Sequence, residues 1–77
     1  MITVLCFAGI KDLIGQGEFK LDIKEISVDE LLKEISREHQ LQLPDSLMVA
    51  VNEEYADPSE IVYAGSTVAL IPPVSGG

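Results

Sequence analysis

Residues 67–77 read Thr67-Val68-Ala69-Leu70-Ile71-Pro72-Pro73-Val74-Ser75-Gly76-Gly77. From Val68 to Ile71 every residue is apolar, with no polar alternation, which predicts a strand covered on both faces and therefore central in a sheet. Pro72 and Pro73 cannot donate to a ladder and hold φ near −65°, so the backbone must leave the sheet as a stiff, extended lead. The folded domain is therefore expected over 1–71, with 72–77 as a flexible, extended tail. Gly76 and Gly77 carry no side chains, so a terminal carboxylate on Gly77 can pass through a channel that would reject any Cβ. Gly-Gly alone fits a frayed terminus. A double proline directly after a buried strand points instead to a built arm that presents its own end as a reagent.

Seventy-seven residues make one small domain, expected to bury only ~60% of the surface its unfolded chain exposes. The apolar and charged shares are those of an ordinary globular chain, with no run long enough to span a bilayer and no cationic leader, so an intracellular, cytoplasmic protein is expected. Thirteen acids against five bases give a formal charge of −8, which repels phosphate backbones and anionic lipid. Neither nucleic acid nor membrane is an expected partner; a protein with a basic face is. A single cysteine allows no intramolecular disulfide, so stability has to come from packing.

From the start of the chain, Ile2-Thr3-Val4-Leu5-Cys6-Phe7-Ala8 reads as another central strand, with Ile2, Val4, Cys6 and Ala8 on the core side and Thr3, Leu5 and Phe7 on the other. After Gly9, the helical spacing of Ile10, Leu13 and Ile14 predicts one short helix before Gly15-Gln16-Gly17. Glu18 to Ile23 alternates strictly, Phe19, Leu21 and Ile23 inward, as an edge strand pairing antiparallel with the first. The main helix is punctuated by a capping pair, Ser27 with Glu30, and by a Val28, Leu31, Leu32, Ile35 stripe. Its outer face, with Asp29 ahead of Lys33 and Glu34 ahead of Arg37, reads as solvated charge. His39, the one histidine, suits the C-terminal end of that helix as a cation better than it suits catalysis, because no nucleophile or carboxylate is placed to work with it.

Beyond Pro44-Asp45, Leu47 to Val51 predicts a strand, Asn52-Glu53 a tight turn, and Glu54-Tyr55-Ala56 a short return. Asp57-Pro58-Ser59-Glu60 has the composition of a one-turn helix or 3₁₀ segment, and Ile61-Val62-Tyr63 leads to a turn at Gly65. An α+β fold follows: a mixed sheet with the first and last strands parallel, one main helix across it, and the opposite face wet or partnered, the β-grasp arrangement.

Conventional active sites find no residues here. There is no Walker loop, no dinucleotide fingerprint, no zinc-like cluster and no nucleophile beside a base, so no metal or bound cofactor is expected. Cys6 lies mid-strand among apolar neighbours, where a thiol is unreactive. Glu53 and Glu54 are adjacent on an extended chain and point apart, so they form no acid–base pair.

Four blocks carry a resemblance: Phe7-Ala8-x-x-Lys11-Asp12-Leu13-x-Gly15, Val49-Ala50-Val51-Asn52, Gly65-Ser66-Thr67-Val68-Ala69, and Pro72-Pro73-Val74-Ser75-Gly76-Gly77. In this order and spacing, across essentially the whole chain, the sequence resembles the small, sulfur-carrying subunits of molybdopterin synthase, which have a ubiquitin-like β-grasp. The resemblance implies that an ATP-dependent, ubiquitin-activating-like adenylyltransferase joins AMP to the Gly77 carboxylate. A sulfur donor, either a sulfurtransferase or a persulfide, then leaves a thiocarboxylate there. The tail would enter an active site on the large synthase subunit and give its sulfur to a pyranopterin precursor, within a heterotetramer. This chain would carry no catalytic side chain of its own, and ATP would be used by the activating enzyme only. Partner contacts are implied at Phe7, Lys11, Tyr55, Ile71, Pro72, Pro73, Val74, Ser75 and Gly76. Lys11 stands where arginine is often found, which removes the expectation of a bidentate contact. Two neighbouring readings share the fold and the Gly-Gly end. One is the thiamin-thiazole sulfur carrier, which typically lacks the short helix at 10–14; the other is a ubiquitin-like modifier that conjugates to lysines.

Overall fold

The computed structural model describes residues 1–72. In chain order these form β1 (Ile2–Cys6), α1 (Ala8–Ile14), β2 (Glu18–Leu21), β3 (Glu25–Ser27), α2 (Val28–His39), β4 (Met48–Val51), β5 (Glu54–Tyr55), β6 (Ile61–Tyr63) and β7 (Thr67–Ile71). The apolar runs at the two ends of this order meet: β1 and β7 pair in parallel, Val4 opposite Val68 and Cys6 opposite Leu70. Around them the main sheet runs β2-β1-β7-β4-β5, with β2 antiparallel to β1 and β4 antiparallel to β7. The strand at 67–71 is thus the middle of five, paired on both sides.

Helix α2 covers one face. Ser27 Oγ accepts a hydrogen bond from the Glu30 amide at 3.2 Å, and Asp29 and Glu30 place negative charge in the first turn, where the helix dipole favours it. The next two orphan amides are also satisfied, Val28 N–H by the Glu60 carbonyl and Asp29 N–H by the Pro58 carbonyl, both at 2.9 Å. Val28, Leu31 and Ile35 pack against Ile2, Val4, Val68 and Leu70, with Ile10 of α1 closing one end of the same cluster. Asp29 sits 3.2 Å from Lys33 and Glu34 sits 3.1 Å from Arg37 on the exposed face, where Asp29 holds the Lys33 ammonium above its usual range. His39 ends the helix with its ring 5.1 Å from that of Phe19, so it packs against the edge strand.

Four local expectations are corrected. The first strand stops at Cys6; Phe7 caps α1 and Ala8 turns to φ 48°, exposed and off the core face. Residues 57–60, expected as a one-turn helix or 3₁₀ segment, stop at a single turn in which Glu60 N–H donates to the Asp57 carbonyl at 3.0 Å, and the carbonyls of Pro58 and Glu60 cap α2. Ile61–Tyr63 is a strand, pairing antiparallel with Glu25–Ser27 as a separate two-stranded ribbon that buries Val62 completely. Finally, β7 is covered on one face only. Val68 and Leu70 are fully buried, whereas Thr67, Ala69 and Ile71 are half-buried.

Candidate functional site

That second face of β7 lies on the side of the sheet away from α2. The pairing registers align a row across it: Glu18 on β2, Leu5 on β1, Ala69 on β7, Ala50 on β4 and Tyr55 on β5. Paired residues point to the same side, so the two alanines floor a trough between the larger Leu5 and Tyr55. The neighbouring row brings Ile71 opposite Met48. Phe7, two residues past Leu5 and still extended at φ −121° and ψ 149°, continues the same parity beside Ile71. Phe7 is 47% exposed and Tyr55 69%. Large apolar side chains standing open on one sheet face mark an interaction surface better than a solvated one. Leu5 and Phe7 therefore face where the alternation put them. Met48 and the alanine trough were not anticipated, because their place on this face depends on the β4–β7 register.

Phe7 and Ile71 come together at the end of the sheet where the tail begins. Tyr55 stands apart on the edge strand, reached through the alanine trough. Lys11 is linked to Phe7 through the first turn of α1, where the Phe7 carbonyl accepts from the Ile10 and Lys11 amides at 3.0 and 3.4 Å. The Lys11 stem crosses Gly17 so closely that a Cβ added there would lie 3.4 Å from Lys11 Cε, leaving the ammonium beyond it exposed. Pro72 follows Ile71 half-buried. Pro73, Val74, Ser75, Gly76 and Gly77 lie outside the described residues.

The start of β7 is fixed by Asn52. Its backbone N–H donates to the Thr67 carbonyl at 2.8 Å, its side-chain oxygen accepts from the Thr67 amide at 3.0 Å, and its Nδ2 donates to Ser66 Oγ at 3.3 Å. Asn52 and Glu53 both take positive φ, 51° and 72°, the two-residue turn that matches strand twist, and Asn accepts such angles most readily among residues with a Cβ. A turn residue thereby ties the edge hairpin to the central strand. Cys6 is buried in the core, and burial pushes its thiol upward in pKa, away from reactivity. Among the described residues no helix is long and apolar enough to cross a membrane.

A mixed sheet crossed by one long helix, with an apolar open face and the central strand leading out into Pro-Pro and Gly-Gly, defines a ubiquitin-like β-grasp protein. The chain belongs to the ThiS family, whose sequence model matches residues 4–77. It is 33% identical over 81 residues to the molybdopterin synthase sulfur carrier subunit of Arabidopsis thaliana, covering 99% of this chain and 82% of that one. Against the molybdopterin synthase sulfur carrier subunit of Haemophilus influenzae it is 33% identical over 86 residues, covering both chains completely. Among solved structures, SAMP1 of Haloferax volcanii superposes with a TM-score of 0.82 at 28% identity, over 99% of this chain and 98% of that one.

Proposed function

We propose that this chain is the sulfur carrier subunit of a molybdopterin synthase and that Gly77 is its reacting residue. What supports the reading above all is full-length similarity to relatives of that name in a chain whose central strand feeds a Pro-Pro and Gly-Gly tail. A carboxylate is a poor electrophile. A Gly77 carboxylate oxygen attacks the α-phosphorus of ATP, pyrophosphate leaves, and the resulting mixed anhydride is open to attack at its carbonyl carbon. Sulfide, or the terminal sulfur of a persulfide that a second thiol then reduces off, forms the C–S bond as AMP departs. The carrier holds its sulfur as a thiocarboxylate and supplies no general acid, base or oxyanion hole; the activating adenylyltransferase and the large synthase subunit supply them. Phe7, Ile71, Pro72 and Tyr55 dock those partners on the open sheet face, with Lys11 at its end, and Pro73, Val74, Ser75 and Gly76 thread into their active sites. The chain itself binds no cofactor, and the assembly is a cytoplasmic heterotetramer.

The test is thiocarboxylate formation with activating enzyme, ATP and a sulfur source, read as replacement of one terminal oxygen by sulfur in the intact mass. Deleting Gly77 leaves the carboxylate one residue short, by ~3.5 Å, and is expected to abolish the product while leaving the melting curve unchanged. Appending one residue, or Gly76→Ile, is expected to do the same, and Ser75→Ala to be mild. Normal thiocarboxylation of the Gly77-deleted chain would sink the proposal. The likeness to SAMP1, a small archaeal modifier protein, favours one second reading, in which the activated Gly77 is passed to lysine side chains. Recovery of Gly77 in isopeptide linkage from cells would establish that use.

A further inference from the structure

All five basic residues lie between Lys11 and Arg37; from residue 38 to residue 77 there is no lysine or arginine, against six acids. The strand order places β4 and β5 of this one-signed half at the edge of the main sheet opposite the β2 edge that carries Lys20. At that edge a groove of about 400 Å³ runs between α2 and β4. Leu32 and Leu47, both half-buried, give it an apolar floor, and Asp29 and Asp45 stand in its walls. Asp29 is matched by Lys33, whereas Asp45 has no ion-pair partner among the described residues. The groove is also continuous with the open sheet face: Met48 and Tyr55 line it and belong to the exposed rows of that face as well.

We infer that this groove is a second docking point, taking a segment of the large synthase subunit that bears an apolar side chain flanked by lysine or arginine. The inference rests on the function proposed above, since that partner is the one expected to cover the sheet face. An apolar floor selects an aliphatic or aromatic anchor, and a wall carboxylate, Asp45, that has no ion-pair partner among the described residues, with Lys33 of the adjoining surface already paired to Asp29, selects basic neighbours and disfavours acidic ones. Because Met48 and Tyr55 are shared, one continuous partner surface passes from the alanine trough around the sheet edge and into the groove. General attraction between a chain of charge −8 and a basic protein does not discriminate among surface sites; a seated basic residue does.

Two charge-matched variants separate these cases. Asp45→Lys, in the exposed groove wall, and Glu38→Lys, exposed near the end of α2, each move the net charge from −8 to −6. With purified large subunit, Asp45→Lys is expected to raise Kd at least tenfold, mainly through koff, while Glu38→Lys changes kon by less than threefold and leaves koff alone. Amide shifts of the isotope-labelled chain on adding unlabelled large subunit are expected at Leu32 and at 45–49 as well as across the sheet face. Equal effects of the two substitutions, or shifts confined to the sheet face, would overturn the groove proposal and leave the sulfur-carrier reading standing. If Asp45→Lys melts more than a few degrees below the parent, Asp45→Asn takes its place, with a rise in koff again expected and an unchanged koff again overturning the proposal. Failure of the unsubstituted chain to bind the large subunit would overturn this proposal together with the partner assignment on which it rests.

Discussion

Replacing Phe7 with alanine tests the facing of the sheet and the role of its open side together. A phenylalanine presents roughly 200 Å² of surface. With 47% of Phe7 exposed, about 95 Å² remains for a partner to cover, worth ~2.4 kcal/mol at ~25 cal/mol per Å². The alanine methyl retains a little of that, so Phe7→Ala is expected to weaken the complex with the large subunit by about 2 kcal/mol, roughly thirtyfold in Kd. Its cost to the isolated chain is small. The interactions by which Phe7 starts α1 are made by its carbonyl, which alanine keeps, so the loss should stay below about 1 kcal/mol, or ~5 °C in Tm. Ile35→Ala supplies the opposite pattern: Ile35 is fully buried beneath the sheet, and its truncation should cost ~2–5 kcal/mol of stability without touching the docking surface. Titration against purified large subunit and thermal melts of the isolated variants read the two effects independently. A Phe7→Ala chain as destabilised as Ile35→Ala would show that β1 faces the other way, an error of one residue in register. Unchanged binding by a folded Phe7→Ala chain would show that the open face is not the docking surface.

At Asn52, alanine would forfeit the side-chain bonds to Thr67 and Ser66 and strain a positive φ, so Asn52→Ala should lower stability by ~1–2 kcal/mol in chemical denaturation, with Asn52→Gly recovering only the backbone part. The Cys6 thiol, raised by burial, should resist alkylation in the native chain and react readily in denaturant, and Cys6→Ala should leave thiocarboxylation intact; loss of sulfur loading in that variant, with the fold retained, would contradict a reaction at Gly77. Because its folded pKa lies above the ordinary 9.0, the contribution of Cys6 is fully present below that pH and is lost above it as the unfolded chain ionises; the stability of the parent should therefore fall relative to Cys6→Ala in titrations above pH 9. The net charge of −8 should make association with both partners slow as salt rises from low to physiological levels, and on-rates independent of ionic strength would refute electrostatic steering.

The long elements were legible because their patterns are longer than the periods that reveal them. Ser27 and Glu30 bound the start of α2, the stripe at Val28, Leu31 and Ile35 orients it, and the alternation of Phe19 and Leu21 faces the edge strand. The β3–β6 ribbon was not legible: Glu25-Ile26-Ser27 and Ile61-Val62-Tyr63 are three residues each, too short for any periodicity, and each becomes a strand only through the other. Ala8 extended an apolar run without interruption, and nothing in its side chain announces a left-handed φ. Asp57-Pro58 has the composition of a helix start, yet its loop gives its carbonyls to the amides of a different helix, a tertiary use that local composition cannot express. For β7 the pattern correctly indicated apolar residues on both sides, but a face covered by its own chain and a face left open have the same composition. The alanine trough depends on cross-strand register, which appears only once the strands are placed. The candidate reacting end rests on the chemistry of Gly-Gly and the family resemblance alone, since Gly77 lies outside the described residues.

The central position of β7 has a mechanical consequence. Its hydrogen bonds run to β1 on one side and β4 on the other, and the start of β1 and the end of β7 lie at opposite ends of a parallel pair. A pull along Ile71 loads both ladders in shear, so many bonds must yield at once instead of peeling singly as they would from an edge strand. Whatever follows Ile71 is thus anchored to the middle of the sheet and not to one of its edges.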